Sequence, residues 1–235
     1  MYTLAFGKTY PEIEVFTTFE DIEHFEIKKP SIGKIYPVKM IGCENITVFK
    51  PELFDSESDY GIILIDQYGN IKKAYFLNPV QFEVIDNSVY MWAYLFGGSK
   101  GAIKAWKNYF YAEVKEYNLW KNLKPSERQG WLELAMGCQN IDYENLKTII
   151  EIDGFDIDCS SDFYCALGEA AHGPGGYFGR NIDALADCIC SPEFGGGKLQ
   201  KVIWKNSKRC RWKLRRKFKM IVDLFHKFRI EVELQ

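Results

Sequence analysis

The chain has 235 residues, 47% hydrophobic and 26% charged, a globular mixture long enough for two domains. Its formal net charge of -2 excludes a general electrostatic attraction of the whole molecule to nucleic acid or to a membrane. Residues 1–15 lack an apolar run of signal-peptide length, and the longest unbroken apolar stretch, Val89 to Phe96, is too short to span a bilayer, so a cytoplasmic protein without membrane contact is expected.

Seven cysteines, an odd number without a CxxC pattern, read as reduced thiols. Cys188 and Cys190 are two apart on a predicted helix and point about 200° away from each other, so they do not grip one ion together. No metal site and no cofactor is expected.

Thr17 and Thr18 are candidate caps for a helix over Phe19 to Phe25 that ends before Lys29-Pro30, and Lys39 to Phe49 reads as one or two strands. Tyr60 to Asp66 and Ile71 to Leu77 flank Gln67-Tyr68-Gly69-Asn70, a hairpin signal. Val80 to Ile85 and Val89 to Phe96 flank a second turn, Asp86-Asn87-Ser88, which extends the pattern to an antiparallel meander. Gly97-Gly98-Ser99-Lys100-Gly101 lacks the spacing of a phosphate loop and reads as a strand-to-helix turn. Ile103, Trp106, Phe110, Val114, Tyr117 and Trp120 then step by three or four, predicting one long amphipathic helix whose aromatic face covers the meander. After Lys124-Pro125, Ser126-Glu127-Arg128-Gln129 has the form of a capping box opening a short helix that stops at Gly137. These elements make an α+β N-terminal domain over 1–138, with no nucleophile, base or metal constellation.

A second domain is expected over 139–235. Leu146 to Ile152 is a strand closed by Asp153-Gly154, and Ser160 or Ser161 caps a helix over Asp162 to Ala171. Glu151, Asp153, Asp156, Asp158, Asp162 and Glu169 have no Lys or Arg between them, which predicts a negative edge. The loop His172-Gly173-Pro174-Gly175-Gly176 leads to Tyr177-Phe178-Gly179-Arg180-Asn181-Ile182-Asp183-Ala184-Leu185-Ala186-Asp187-Cys188-Ile189. In a helix starting near Asn181, Ile182, Leu185 and Ile189 form an apolar stripe while Asp183 and Asp187 share another face. Like charges at i and i+4 cost a helix roughly 0.2–0.5 kcal/mol, and only Asp183 is helped by the helix N-terminus, so Asp187 has no local reason to be there. Lys201 to Trp204 is a strand, Lys213 to Phe228 a basic amphipathic helix, and Arg229 to Leu234 a third strand.

The segment from Tyr177 to Ile189 resembles the signature of the barstar family, intracellular inhibitors of secreted ribonucleases, and the resemblance extends over about 146–235. Ile152-Asp153-Gly154, Ser161-Asp162-Phe163 and Ile230-Glu231-Val232-Glu233-Leu234 sit where that family has its first strand, first helix and last strand. The resemblance implies a three-stranded parallel sheet covered by helices, bacterial origin, no enzymatic activity, and an immunity role: occlusion of a cognate toxin, a secreted or contact-delivered ribonuclease. Carried over residue by residue, Asp187 is the central acid that pairs with the cleft's cations and Asp183 the acid one turn earlier. Tyr177 is the aromatic that packs over the cleft, and Arg180 stands beside them as a toxin-binding position. Gly179 and Asn181 are structural, as turn glycine and helix-opening residue.

The departures are Arg180 where the family has a frequent Glu, Ala186 where it has an aromatic, and no acid from the later helix region. Instead the run from Lys198 to Lys219 holds eleven cations and no acids, with Trp204 and Trp212 interleaved. Either the toxin carries an acidic patch for this face, or the face lies off the interface. A rival reading makes this stretch a nucleic-acid-binding or regulatory module. His24, His172 and His226 have no partner spacing for a catalytic triad; His172, ahead of the acidic helix, is the one to watch.

Overall fold

Alternating apolar residues from Thr3 onward build strands through most of the first half of the chain. The computed structural model describes residues 3–26, 33–55 and 57–235, and the chain divides into two units, Met1–Glu113 and Val114–Gln235. The division falls ahead of the boundary expected near Gln139, because residues 114–138 supply donors to two buried acids of the second unit. Glu169 accepts from the Asn118 amide at 2.9 Å and the Trp120 indole at 3.1 Å, and Asp162, fully buried, pairs with Arg128.

In the first unit β1 (Thr3–Tyr10), β2 (Glu14–Phe19), β3 (Asp21–Glu23), β4 (Ile35–Ile41), β5 (Asp59–Ile65), β6 (Ile71–Ile85) and β7 (Ser88–Leu95) form one antiparallel sheet, ordered β2-β1-β5-β6-β7-β4-β3. Both expected hairpins are present. In the first, the Asp66 carboxylate accepts from the amides of Tyr68 at 2.9 Å and Asn70 at 2.8 Å, closing an Asx-type turn. β6 runs through where two strands were expected, with an irregular register between Pro79 and Gln81.

The helix expected over 19–25 is absent: Asp21, Ile22 and Glu23 pair with Ile41, Met40 and Lys39 instead. A long-range ladder has outcompeted a weak local helix signal. The end predicted before Lys29-Pro30 lies outside the described residues. Past Ile41 the expected strand gives way to a 3-10 turn, Ile46–Val48.

The long helix expected over 103–120 is also not formed. α1 (Ala102–Ala105) passes into a π-type turn, Trp106–Phe110, and left-handed residues at Glu113 (φ 64°) and Asn118 (φ 66°) redirect the chain. Ile103, Trp106 and Phe110 are buried in the first unit. Trp120, in the 3-10 turn Leu119–Asn122, belongs to the second.

The second unit contains α2 (Arg128–Cys138), β8 (Ile149–Asp153), α3 (Ser160–His172), α4 (Ile182–Cys190), β9 (Lys201–Lys205), α5 (Ser207–Leu214), α6 (Arg216–Lys227) and β10 (Glu231–Leu234). Its three strands are parallel, in the order β10-β9-β8. On one face Ile150, Ile152, Val202 and Trp204 are buried, and Trp204 lies between Phe163 of α3 at 5.0 Å and Phe218 of α6 at 4.7 Å. The alternate positions carry an ion-pair ladder: Lys201 to Glu231 (2.9 Å) and Glu233 (2.7 Å), and Lys205 to Glu151 (2.6 Å). Period-two alternation therefore separates core from solvent even in a parallel sheet.

Three local expectations are corrected here. Ser126 and Gln129 form no capping box; Gln129 donates to the Ser161 hydroxyl at 2.8 Å, and α2 starts at Arg128. The N-cap of α3 is Cys159, not a serine, because Asp162 reaches back to the amides of Asp158 (2.9 Å) and Cys159 (3.0 Å). The basic helix expected over 213–228 is two helices, broken at Arg215 (φ 52°).

Candidate functional site

α4 begins where the sequence places it. Asn181 is its N-cap and its side-chain oxygen accepts from the Ala184 amide at 2.7 Å, satisfying a donor that the helix cannot satisfy itself. Leu185, Cys188 and Ile189 are buried, with Ile182 at the edge of the stripe. The entering loop is pressed onto the helix: Gly179 has φ +101°, and a Cβ there would lie 2.8 Å from the Leu185 Cα and 2.9 Å from its amide nitrogen. Only glycine fits that approach without displacing backbone.

On the opposite side of α4, Asp183 and Asp187 are exposed. Neither makes an ion pair or a side-chain hydrogen bond among the described residues. Their charges are felt inside the domain: Tyr164 is held above the usual phenol range first by burial and then by Asp183. Residues four apart on a helix lie one turn, about 5–6 Å, from each other at Cβ. The pair thus offers two water-facing carboxylates on a rigid element.

The expected negative edge is not formed. Glu151 pairs with Lys205, Asp156 with Lys121 at 2.6 Å, and Asp158 with both Arg209 and Lys213 at 2.8 Å. Asp153 holds the Phe155 amide and the Asn206 side chain. Asp162 and Glu169 are buried and bonded as described above. The hydrogen bond from the Lys213 ammonium, with Arg209 adding its charge, holds the Asp158 carboxyl below the usual range. For Glu169 burial dominates and raises the pKa, opposed by the Asn118 and Trp120 donors. All six acids have structural partners, and Asp183 and Asp187 stand apart from them.

Tyr177 is corrected from surface to core. It is 2% exposed, its ring lies 5.9 Å from Phe194, its amide donates to the Gln139 side chain at 2.8 Å, and burial pushes its phenol up to about 12. Here it backs the acidic helix rather than offering a ring to a partner. Arg180 is half-buried at the loop's end. Gln139 pins this loop from far along the chain, and no local pattern announces it. His172, also half-buried, makes a 3.1 Å hydrogen bond to the Phe194 carbonyl and packs on Phe178 at 5.6 Å, and burial lowers its pKa. It therefore has a structural task at the base of the loop.

Within the basic run, Lys201, Lys205, Arg209 and Lys213 are paired, and Trp204 is in the core. Lys208, Arg211, Arg215, Arg216, Lys217 and Lys219 are exposed and make no ion pair among the described residues, and Trp212 is 69% exposed. Also among the described residues, no three His, Cys, Asp or Glu side chains are grouped to hold a metal ion, and no helix is long and apolar enough to cross a membrane. None of the seven cysteines is in a disulfide.

Residues 147–235 match the family model Barstar (barnase inhibitor), and no family model matches the residues before them. The three-stranded parallel sheet and its helices agree with that match. No curated protein matches the chain.

Proposed function

We propose that this protein is a bacterial, cytoplasmic immunity protein whose second unit binds a cognate toxin ribonuclease and occludes its active site with α4. One observation carries the reading. Unlike the six acids from Glu151 to Glu169, which are bonded internally, Asp183 and Asp187 are exposed and make no ion pair or side-chain hydrogen bond among the described residues, one turn apart on a helix fixed by a cap and a glycine contact. A ribonuclease must line its cleft with cations to hold a polyanion, and a rigid pair of carboxylates imitates neighbouring phosphates. The inhibition is by plugging, with no bond made or broken.

Arg180, next to the acids, is assigned to the rim of this interface, while Tyr177 supports the helix from beneath. The first unit has no assigned part in the contact. The test is inhibition of barnase and of a panel of small ribonucleases, together with capture of endogenous nucleases, using wild type and Asp183→Ala/Asp187→Ala. A nuclease bound and silenced by wild type and released by the double variant supports plugging by α4. Equal inhibition by both proteins would remove α4 from the mechanism.

A further inference from the structure

The surface of α5 carries an arrangement that the inhibitor reading does not use. Its buried side is Ser207, Cys210 and Leu214, so Lys208, Arg211 and Trp212 point outward. Trp212 is 69% exposed, and the Lys213 ammonium lies 5.3 Å from the centre of its ring. A second exposed ring, Phe155 at 60%, lies 5.5 Å from the Arg209 guanidinium. Arg209 and Lys213 both bond the same Asp158 oxygen at 2.8 Å, which joins the two ring-and-cation pairs into one patch. Arg209 also reaches the carbonyls of Gly154 and Ile157, each at 3.4 Å, so the Phe155 side of the patch is anchored.

We propose that this patch binds single-stranded nucleic acid, with Trp212 and Phe155 stacking on bases and Lys208 and Arg211 contacting phosphates. Cations alone fit any polyanion. Two exposed aromatic rings are more selective: an acidic protein surface would neutralise the lysines and arginines but would need pockets of its own to cover both rings. A single strand that alternates negative charge with flat π-faces meets both features at once. The phosphates also meet charges not committed elsewhere, since Lys208 and Arg211 make no ion pair among the described residues. The acids beside Phe155 are bonded as well: Asp158 to two cations, Asp156 to Lys121, and Asp153 to the Phe155 amide and the Asn206 side chain. Binding at α5 uses none of the α4 carboxylates, so it is independent of the inhibitor reading.

The experiment is fluorescence anisotropy of a labelled 12-mer of oligouridylate with the full chain, across a salt series, with the same-length RNA duplex and polyglutamate as competitors. Wild type is expected to bind the single strand with an affinity that falls steeply with salt. Trp212→Ala is expected to weaken binding about tenfold with the salt slope unchanged. Lys208→Ala/Arg211→Ala is expected to flatten the log–log salt slope by about 1.4, two phosphate contacts on a single strand. Asp183→Ala/Asp187→Ala should not weaken it. The proposal is overturned if no binding occurs at low salt, if Trp212→Ala binds as wild type, or if the duplex or polyglutamate competes as well as the single strand. The last result would make the patch a plain electrostatic or protein-docking face.

Discussion

Residues 114–138 lie outside the segment matched to a known family, yet the second unit should fail without them. A fragment limited to 139–235 loses Arg128, the partner of fully buried Asp162, and the Asn118 and Trp120 donors of buried Glu169. Leaving a buried charge without its partner costs about 3–5 kcal/mol, and stranding a buried acceptor about 1–3 kcal/mol. Together that is roughly 4–8 kcal/mol, before counting the buried Trp120, Trp131, Leu132 and Leu134, against a typical domain stability of about 5–15 kcal/mol. Urea titrations of 114–235 and 139–235, followed by circular dichroism and tryptophan fluorescence, decide the matter. The longer fragment should unfold cooperatively, and the shorter should be unfolded or lack a cooperative transition at 25 °C. If 139–235 unfolds with the same midpoint and slope as 114–235, the buried acids do not need this segment and the placing of the boundary at Val114 is wrong.

Other outcomes follow from the same contacts. Asp183→Ala/Asp187→Ala should leave thermal stability within about 0.5 kcal/mol of wild type, because both groups are exposed and unpartnered. It should raise the dissociation constant for a cognate nuclease at least thirtyfold, the equivalent of about 2 kcal/mol; that range rests partly on charge pairs in a complex of the barstar class and is inherited from them. Gly179→Ala should destabilise by about 1–2 kcal/mol for its left-handed backbone alone, with a further loss as Leu185 is pushed away, read as a lower melting temperature together with weaker inhibition. Glu169 has a raised folded pKa, so its folded state prefers the proton. Its contribution to stability is complete below the unfolded value of about 4.3 and is lost as pH rises through the folded value. Glu169→Gln should flatten the urea midpoint against pH in that window, and an unchanged profile would show that the buried carboxyl does not couple there.

How much of this was legible depends on where each stabilising contact lies along the chain. The two hairpins, α4 and its Asn181 cap, and the three parallel strands were legible because turn residues, a cap and apolar periodicity lie within a few positions of one another. The helix expected over 19–25 failed because its residues are claimed by β4, whose pairing positions are 39–41. The helix expected over 103–120 failed for a related reason: its aromatics serve two cores, with Trp106 buried in one and Trp120 in the other. A single period cannot show that a run of tryptophans is shared. Within the site, the acids and their cap were visible, but the burial of Tyr177 depends on Phe194 and Gln139, which no spacing near Tyr177 signals.

The acids of the second unit make the same point about function. Counted along the sequence, Glu151 through Glu169 look like a negative edge and Asp183 and Asp187 like two more of the same kind. In three dimensions the first six are matched by Lys121, Arg128, Lys205, Arg209 and Lys213 or by backbone and side-chain donors, several of them far off in sequence. Removing one of those acids therefore strips a partner from a cation or a buried donor, and its effect should appear in stability before it appears in binding. Removing Asp183 or Asp187 strips nothing inside the domain, so any effect must come from a molecule outside it. That separation can be measured without knowing the partner: in an alanine scan of all eight acids, a plot of melting temperature against nuclease inhibition should place the six on the stability axis and the two on the inhibition axis. A scan in which Asp183 and Asp187 fall among the other six would mean that α4 is a feature of the fold and not its binding surface.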